Sequence, residues 1–487
     1  MNKETDVLIV GGGPAGLLAA IRAARMGARV VLAEKNKMLG RKLRITGKGR
    51  CNITNNKELQ PFIRQYGEKG KFLYSAFSRM FHQYIRRLLE EAGVETKEER
   101  GGRVFPVSDQ AADVAEALER LAVEAGVEII RECKVKGLIL EPLPEHLQEP
   151  ASGKRVAGVY IYDPWDDSEI RAKAVIVATG GMSYPLTGST GDGYVWARDA
   201  GHRITELSPA LVPLVSDDSW VGELSGLSLR NVKASLWAGP GRADTAADVR
   251  FSDTSRINDA PGDGAPGDDD AGAGKLRKLA EFQGEMLFAH FGLTGPVILS
   301  LSRFYADNGE TYTVLIDLKP ALSPEILDKR LQRDFLRYQR KQLANAMVDL
   351  LPRALIPTVI RQAGLDEDTA IATLTRTQRW DICRTLKALR VSVTGTRPLE
   401  EAIITVGGVD LSEVDPRTMA SKKTEGLYLA GELLDIDGYT GGYNLQAAFS
   451  TGWTAGESAA AKVLGIEMER KKRNEDGGKN GRQDRAI

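Results

Sequence analysis

The hydrophobic pattern near the amino terminus predicts a strand, a helix and a second strand. Val7 to Val10 is a continuous apolar run, Pro14 to Gly27 is an alanine-rich helical stretch, and Arg29 to Glu34 is an apolar run that ends in an acid. Short apolar runs of this length are typical of strands that are buried on both faces. The order strand, helix, strand predicts a βαβ unit with parallel strands.

The same kind of sheet is predicted to continue to about residue 203. Ala111 to Ala125 has helical periodicity, and strand-like runs follow at Val127 to Leu140, Val156 to Tyr162 and Ala174 to Ala178. Alternation of helices and apolar strands is typical of an α/β fold. We therefore expect one α/β sheet in this part of the chain.

After residue 203 the pattern changes to strands without helices between them. Such runs occur at Leu211 to Val215, Leu227 to Leu236 and Thr311 to Leu318, and they predict an antiparallel insertion. Residues 239–276 are dense in Gly, Pro, Asp, Ala and Ser, and bury too little apolar surface to offset the entropy of ordering. We expect a flexible loop there.

The carboxyl-terminal part is predicted to be helical and then to return to strands. Ser323 is a good N-cap, and Pro324 after it suits the first helical position, so a helical segment is expected to about Leu389. Strand-like runs return at Val391 to Thr394 and Ile403 to Val406. The charged tail from about residue 467 is expected to be disordered.

The charge balance and the cysteine count narrow the class of protein. Lysine plus arginine and aspartate plus glutamate are both 66, so no net field attracts nucleic acid or an anionic membrane, and a small-molecule substrate is the default expectation. Cys51, Cys133 and Cys383 are too far apart for a disulfide framework or a zinc cluster, and no metal site is expected. With no export signal and no apolar run near the ~18 residues of a membrane span, we expect a cytoplasmic protein.

The turn GGGPAG at residues 11–16 lies between the first predicted strand and helix, with glycines at G-x-G-x-x-G spacing. Gly11 permits the tight turn, Gly13 leaves room for a pyrophosphate, and Gly16 lets the helix approach the strand. Glu34 ends the second strand, where a carboxylate accepts hydrogen bonds from ribose and repels a 2′-phosphate. These residues predict a site for FAD or NAD and not for NADP.

Further stretches carry a family resemblance. The most specific is GRKLRITGKGRCNITN at 40–55, followed by ATGGMSYP at 178–185, TGDG at 190–193, GEMLFAHFGLTGP at 284–296 and the run 407–456. Together they resemble the YhiN/BaiN-like flavoprotein family, whose members are often labelled aminoacetone oxidase-like. The resemblance spans nearly the whole chain except 239–276 and the tail.

The resemblance implies an α/β fold with a discontinuous, Rossmann-like FAD-binding domain at 1–203 and 396–466. A β-barrel-like insertion is implied at 204–322 and 391–395, and a small helical subdomain at 323–390, which leaves 467–487 as the tail. The implied cofactor is FAD. The cofactor-binding residues that the motif and the resemblance imply are Gly11, Gly13, Pro14, Ala15, Gly16, Glu34 and Lys35 for the ADP half, Arg41 and Lys42 along the cofactor, Val135 at the adenine, Thr179 and Gly180 in a glycine turn, Gly431, Glu432 and Asp435 near the ribityl and pyrophosphate groups, and Gly442, Asn444, Leu445 and Gln446 at a helix start that faces the flavin pyrimidine ring.

The residues that would handle protons or an anionic substrate are less clear from the sequence. His290 and Tyr443 are weak candidates for proton transfer, and packing is the better explanation for both. The basic loop carries Lys42, Arg44, Lys48 and Arg50, which could hold an anionic group or simply be solvated. For Cys51, structural packing is the expected role.

The predicted function is two-electron transfer between flavin and a small or mid-sized organic substrate. Two reactions stay open: reduction of a C=C bond with an NAD(P)H donor, or oxidation of an amine with O2. Since no second G-x-G-x-x-G turn lies between a predicted strand and a predicted helix, the sequence has no second complete unit for NAD(P)H, and any NAD(P)H would bind transiently. The alternatives are a flavin-containing RNA-modifying or RNA-binding protein, which the neutral charge disfavours, and a redox sensor with structural FAD.

Overall fold

The chain folds as the α/β protein that its sequence predicts. The computed structural model describes residues 2–143, 153–162, 168–239 and 276–467. The predicted loop at 239–276 and the predicted tail at 467–487 lie almost entirely outside the described residues, so both stay predictions.

The described residues form the following strands and helices, given in chain order. The strands are β1 (Asn2–Val10), β2 (Val30–Ala33), β3 (Thr54–Asn55), β4 (Thr96–Glu99), β5 (Arg103–Pro106), β6 (Glu128–Ile130), β7 (Val135–Pro142), β8 (Lys154–Ile161), β9 (Ser168–Val177), β10 (Ser208–Ala210), β11 (Leu214–Val215), β12 (Ser228–Gly239), β13 (Arg277–Ala289), β14 (Gly292–Thr294), β15 (Thr311–Asp317), β16 (Leu389–Val393), β17 (Gly395–Thr396), β18 (Ile404–Val406), β19 (Thr424–Glu425) and β20 (Leu427–Leu429). The helices are α1 (Pro14–Arg25), α2 (Arg41–Ile45), α3 (Leu59–Ile63), α4 (Tyr74–Arg79), α5 (His82–Glu91), α6 (Ala111–Glu124), α7 (Asp192–Asp199), α8 (Ser219–Glu223), α9 (Pro296–Leu301), α10 (Pro324–Arg337), α11 (Leu343–Ala346), α12 (Ile356–Gln362), α13 (Arg376–Lys387) and α14 (Tyr443–Leu464).

A Rossmann-like parallel sheet forms the centre of the first unit. Strand β1 lies between β2 and β9 and is parallel to both, β6 extends the sheet beyond β2, and β20 pairs in parallel with β9. The apolar runs predicted from the sequence are buried on both faces, as at Leu8 and Val31. Because β20 comes from the far end of the chain, the sheet is assembled from both ends of the sequence. The carboxyl ends of β1, β2, β9 and β20 meet at one edge.

The run from Val127 to Leu140, which was expected to be strand-like throughout, is divided into two strands. Glu132 has a left-handed φ of 55° and divides the run into β6 and β7. Strand β6 pairs in parallel with β2, whereas β7 pairs antiparallel with β8. The hydrophobic pattern is the same on both sides of the turn, so it carries no sign of the reversal.

The insertion is a seven-stranded antiparallel sheet that closes on itself, as predicted. Its order is β16, β15, β12, β13, β14, β11, β17. Strands β16 and β17 occupy opposite edges, yet only Thr394 separates them in sequence. One stretch of chain therefore forms both edges, which gives the insertion its barrel-like character.

Helices α10 to α13 lie between β15 and β16 in the sequence, where the helical segment is predicted. The predicted cap is confirmed: the Ser323 hydroxyl accepts the N–H of Ile326 at 3.3 Å, with Pro324 at the first helical position. Leu331 from α10 shares one apolar cluster with Ile316 of the insertion sheet. The helices and the sheet therefore have a common core, and the predicted domain boundaries stay a prediction.

Helix α14 packs closely along α1 and completes the Rossmann-like unit. A Cβ on Gly452 would lie 2.1 Å from the carbonyl oxygen of Ala15, and one on Gly456 would lie 2.2 Å from that of Ala19. Such an approach leaves room for glycine alone. In the part of the chain that the structure describes, no helix is both long and apolar enough to cross a membrane.

Candidate functional site

A cavity of about 980 Å³ opens where the carboxyl edge of the parallel sheet meets the insertion. Its size falls in the ordinary range of ligand and cofactor pockets, roughly 300–1,000 Å³. One wall consists of the turns after β1, β2, β9 and β20, and the other includes Leu211, Pro296 and Leu299 of the insertion. Open α/β sheets bind ligands at the carboxyl ends of their strands, so this cavity is the candidate site.

The glycine-rich turn lines one end of the cavity, where α1 begins. Gly11 has a φ of +106°, and a Cβ there would lie 2.6 Å from the carbonyl oxygen of Ala178. A Cβ on Gly16 would lie 1.9 Å from the carbonyl oxygen of Gly11, whereas a Cβ on Gly13 would meet no protein atom within 4 Å. Gly11 and Gly16 are therefore required by packing, and Gly13 keeps space open at the helix start.

Glu34 is buried at the end of β2 and is held by backbone and side-chain donors. Its carboxylate accepts the N–H of Gly12 at 2.7 Å, the N–H of Asn36 at 2.8 Å and the side-chain amide of Asn36 at 2.6 Å. These contacts fix the carboxylate beside the glycine turn, in the cavity wall. A carboxylate oxygen accepts more than one hydrogen bond, so capacity remains for ribose hydroxyls.

The start of α14 lines the other end of the cavity. Gly442 precedes the helix with a φ of +94°, and no side chain caps the helix. The contact of Gly452 with Ala15 lies ten residues into α14, so the two helix starts are about 15 Å apart. The amino-terminal ends of α1 and α14 therefore each present free N–H groups and a partial positive charge to the cavity, about 15 Å from one another.

Asn444 and Asn52 hold the turn before α14. The Asn444 side chain accepts the N–H of Gly438 at 2.7 Å and donates to its carbonyl at 2.9 Å. With its amide oriented to satisfy its neighbours, Asn52 accepts the N–H of Gly442 at 3.1 Å and donates to the carbonyl of Thr54 at 3.1 Å. Both contacts fix the backbone at this end of the cavity.

Three charged residues predicted at the cofactor form contacts across the cavity wall. Lys42 Nζ donates to Glu432 at 2.6 Å and to Ser183 at 2.7 Å. Lys35 donates to Asp192 at 2.7 Å; burial raises the pKa of Asp192, but Lys35 and Thr190 outweigh that effect and lower it. Among the predicted cofactor-binding residues, those that line the cavity are Gly11, Gly13, Pro14, Ala15, Glu34, Lys35, Arg41, Lys42, Val135, Thr179, Gly180, Gly431, Glu432, Gly442, Asn444 and Leu445.

Three of the predicted cofactor-binding residues do not line the cavity. Gly16 lies in the contact between helix and strand, and Asp435 accepts a hydrogen bond from Lys69 at 2.6 Å. Gln446 is fully buried, where its amide accepts from Thr54 at 2.6 Å and donates to Ser450 at 2.9 Å. These residues support the walls of the cavity.

The two weak candidates for proton transfer also lie outside the cavity lining. His290 is exposed, with its ring against Phe291 at a centroid distance of 5.0 Å. The ring of Tyr443 is buried in an aromatic cluster, 4.8 Å from Phe62. A proton donor must reach the reacting atoms, so the geometry does not support either assignment.

The basic loop is more fully paired than its sequence suggests. Arg44 forms an ion pair with Glu116, and Arg50 forms ion pairs with Glu99 and Asp109. Burial raises the pKa of the Cys51 thiol to about 12, so it stays protonated and packs in the core. Lys48 lines the cavity and, unlike Arg44 and Arg50, forms no ion pair with any described residue.

Asp437 connects the insertion to the turn before α14, a contact that the sequence did not indicate. It is buried in the turn before α14 and pairs with Arg303 of the insertion, whose Nε lies 3.1 Å from Oδ2, and with Lys69 at 2.9 Å. Burial raises the pKa of Asp437, but the two cations outweigh it and the pKa is lowered. The ion pair of Arg303 with Asp437 connects the insertion to the turn before α14.

Tyr439 extends from that turn into the cavity lining. Its ring packs against Phe282 at 5.3 Å and Phe304 at 6.5 Å, and the guanidinium of Arg303 lies 4.3 Å from its centroid. Only its position beside a glycine turn was visible from the sequence. The partners come from the insertion, far away along the chain.

The cavity fits an extended dinucleotide such as FAD. Space at Gly13 and an uncapped helix start suit a pyrophosphate at one end, and the start of α14 suits a ring that gains negative charge at the other. Thr179, in the cavity wall, has a buried hydroxyl oxygen without a hydrogen-bond partner among the described residues. In the same described part of the chain, no group of three or more His, Cys, Asp or Glu residues could hold a metal ion.

Comparisons with known proteins show which family and which relatives the chain resembles. The HI0933-like protein Rossmann domain matches residues 5–458. The chain is 30% identical over 459 residues to the 3-dehydro-bile acid delta(4,6)-reductase of Clostridium scindens, covering 93% of this chain and 98% of the relative. It is 27% identical over 455 residues to the ribosomal RNA dihydrouridine synthase of Haemophilus influenzae, covering 93% and 98%. Among solved structures, 3-ketosteroid delta1-dehydrogenase from Sterolibacterium denitrificans is similar with a TM-score of 0.49 and 14% identity, covering 94% of this chain and 100% of that one.

Proposed function

Because the chain belongs to the HI0933-like protein family, as its YhiN/BaiN-like motifs predict, we propose that it reduces C=C bonds conjugated to a carbonyl group. The chain is an FAD-dependent oxidoreductase. The observation that carries the finer proposal is its 30% identity, over nearly the full length of both chains, to a relative named as a reductase of a 3-dehydro, delta(4,6) substrate. That name describes a ketone with conjugated double bonds.

FAD, when bound, supplies the hydride that such a reduction needs. The chain's own residues would position the cofactor and the substrate. In this proposal Glu34 binds the ribose hydroxyls, and the start of α1 binds the pyrophosphate. The start of α14 then stabilises negative charge on the ring system, because its N–H groups and Gly441–Gly442 lie at that end of the cavity.

The insertion would cover the substrate and exclude water. Its contribution to the wall is largely apolar, with Leu211, Pro296 and Leu299 facing the same cavity as Ile403 and Ile404. Exclusion of water strengthens the electrostatic interactions within a site and prevents loss of the hydride to side reactions. The buried pair of Arg303 and Asp437 would keep this wall in place.

Tyr439 is the residue that we assign to proton transfer. Saturation of a conjugated bond needs one proton in addition to the hydride, and a phenol within reach of the substrate can supply it. Tyr439 lines the cavity from the turn before α14, and three neighbours pack against its ring. Tyr184 is the other phenol in the lining and serves as its natural comparison.

A second candidate is reduction of uridine in RNA. Two relatives, from Haemophilus influenzae and Escherichia coli, are named ribosomal RNA dihydrouridine synthase, at 27% identity over 93% and 94% of this chain. Dihydrouridine is uridine whose ring C=C bond, conjugated to a carbonyl, has been saturated, so the chemistry is the same. The neutral net charge therefore does not exclude a nucleic acid, and the earlier expectation of no nucleic acid is not supported.

Steady-state assays separate these reactions. Oxidation of NADH or NADPH is measured with the purified enzyme, with a 3-oxo-4-ene bile acid or a uridine-containing rRNA fragment as acceptor, and hydrogen peroxide is measured with an amine and O2. The proposal predicts donor oxidation coupled to a product with two more hydrogens. Peroxide formation that depends on the amine, with no acceptor reduction, would refute it. Stable FAD that no donor reduces would favour a redox sensor.

A further inference from the structure

Three cations in the cavity lining, Arg41, Lys48 and Arg103, form no ion pair with a described carboxylate. Lys48 and Arg103 both line the cavity, and neither forms an ion pair with another described residue. Lys42 and Arg50 line the same cavity, yet each is paired with a carboxylate. Arg41 donates to Asn36, whose side chain also donates to Glu34, so Arg41 belongs to the Glu34 end of the cavity. Arg103 contributes, after Arg50, to lowering the pKa of Glu99, but it forms no ion pair with that carboxylate. Lys48 and Arg103 are therefore the cations that remain for a ligand away from the Glu34 end.

Both cations lie at the end of the cavity where α14 begins. Asn52, four residues after Lys48, accepts an N–H from the Gly441–Gly442 turn at 3.1 Å. Arg103 pairs with Asn55 across β3 and β5, and the Asn55 side chain donates to the carbonyl of that same turn at 3.2 Å. This end is about 15 Å from the start of α1, so the two cations are remote from the predicted pyrophosphate position.

The backbone of Lys48 and the side chain of Arg103 each have a defined geometry in their own loops. Lys48 has a left-handed backbone, with φ of 61° and ψ of 41°, an unusual conformation for a residue with a side chain. Arg103 Nε donates to the carbonyl of Arg100 at 3.1 Å, and its guanidinium lies 5.9 Å from the ring centroid of Phe105.

We propose that Lys48 and Arg103 bind a carboxylate or phosphate group of the substrate, so that the enzyme selects anionic substrates. This rests on the proposed function, because it concerns the substrate of the same cavity. A guanidinium and an ammonium at one rim suit an oxyanion, since each donates charge-assisted hydrogen bonds. The apolar wall at Leu211 and Leu299 suits the carbon skeleton of the substrate. The expected ligand is an apolar conjugated ketone with an anionic tail.

The binding test uses a 3-oxo-4-ene bile acid and its methyl ester with the FAD-loaded protein. Binding is followed by the change in the visible spectrum of the oxidised flavin, which needs no turnover. The acid should bind roughly fivefold more tightly than the ester, and added NaCl should reduce this preference. Equal affinities that do not respond to salt would overturn the proposal.

Variants of Lys48 and Arg103 test whether these two side chains cause the preference for the acid over the ester. Lys48→Gln and Arg103→Gln should each reduce the preference for the acid, and the double variant should abolish it, while affinity for the ester is unchanged. Lys48→Arg should retain the preference. Arg100→Gln removes an exposed charge three residues from Arg103 that does not line the cavity, and it should have no effect. A double variant that keeps its FAD and its full preference for the acid would refute the assignment.

A uridine-containing RNA oligonucleotide distinguishes the source of the anion. If the RNA binds more tightly than the bile acid and the double variant loses this binding, the bound group is a phosphodiester and the anion site stands. Reduction of the acid and the ester with equal KM would refute the anion site and leave the reductase intact. Spectral binding of the acid without any reduction would support the site and refute the proposed function.

Discussion

The carbonyl oxygen of Gly11 lies 1.9 Å from the point where a Cβ on Gly16 would be placed. Turn and helix therefore touch backbone to backbone at this position. At Gly13 a Cβ would meet no protein atom within 4 Å, because that side faces the cavity. The two glycines of one motif thus meet different needs, close packing in the first case and room for a ligand in the second.

Substitution of these two glycines should separate folding from cofactor binding. Gly16→Ala should lower the free energy of unfolding by about 1–3 kcal/mol, since the added methyl group overlaps backbone. Gly13→Val should leave the unfolding temperature of the apoprotein nearly unchanged but should prevent FAD retention. Circular dichroism and the ratio of FAD to purified protein measure the two effects. Full FAD retention by Gly13→Val would contradict the assigned pyrophosphate position.

Replacement of Glu34 should weaken FAD binding. Glu34→Ala removes hydrogen bonds to a charged acceptor, which are worth about 1.5–3 kcal/mol each, so the dissociation constant of FAD should rise at least tenfold. Glu34→Gln keeps the shape of the side chain, and its dissociation constant for FAD should lie between those of the wild type and Glu34→Ala. Fluorescence titration of the apoprotein with FAD measures these constants, with Glu124→Ala, an exposed carboxylate of α6, as the control. Wild-type affinity in Glu34→Ala would remove Glu34 from the binding site.

The buried pair of Asp437 and Arg303 should make stability depend on pH. Because the pKa of Asp437 is lowered in the folded state, its contribution is present at neutral pH. It should be lost as the pH falls below about 4, through the folded-state pKa. Asp437→Asn should cost about 3 kcal/mol of unfolding free energy at pH 7, since it leaves a buried guanidinium without its partner.

Denaturant unfolding of the wild type and Asp437→Asn at several pH values checks this dependence. The difference between the two proteins should shrink in acid. The exposed Asp368, replaced by Asn, should show no difference at any pH. A difference that is constant from pH 7 to pH 3 would show that the charge of Asp437 is not what stabilises the turn.

Tyr439→Phe should slow product formation without loss of the cofactor. Removal of a general acid typically lowers the rate about 10²–10⁴-fold, while substrate affinity changes little. Single-turnover formation of the saturated product measures this rate. Tyr184→Phe is the comparison, because Tyr184 lines the same cavity. A loss of rate in Tyr184→Phe alone would show that Tyr184 donates the proton and that the assignment to Tyr439 is wrong.

The Rossmann-like unit could be predicted because its signals are local. Its signals lie close together in the sequence: the apolar run to Val10, the turn at Gly11–Gly16 and the acid at Glu34. Each of them indicates one feature of the unit by itself, namely a buried strand, a pyrophosphate-binding turn and a ribose-binding carboxylate. The same holds for Ser323, whose cap lies three residues from its partner. Helices α3 to α5 between residues 59 and 91 were not predicted, and α3 and α4 are only five and six residues long.

Contacts between distant residues could not be predicted from pattern alone. Arg303 and Asp437 are 134 positions apart. The sequence has 66 basic and 66 acidic residues, and these totals do not show which of them form pairs. Gly452 is visible in the sequence as a small residue in a helix, but its contact with Ala15 follows only from the packing of the two ends of the chain. The free cation at Lys48 is likewise apparent only when its neighbours in the basic loop are seen to be paired.

The most direct test of this account is a single-turnover experiment without oxygen. The purified FAD-loaded protein is treated with NADH or NADPH until its visible band bleaches, and a 3-oxo-4-ene bile acid is then added. The account predicts that the band returns and that an equal amount of product with two additional hydrogens is formed. A protein that takes up no FAD, or a band that returns only when O2 is admitted, would contradict it.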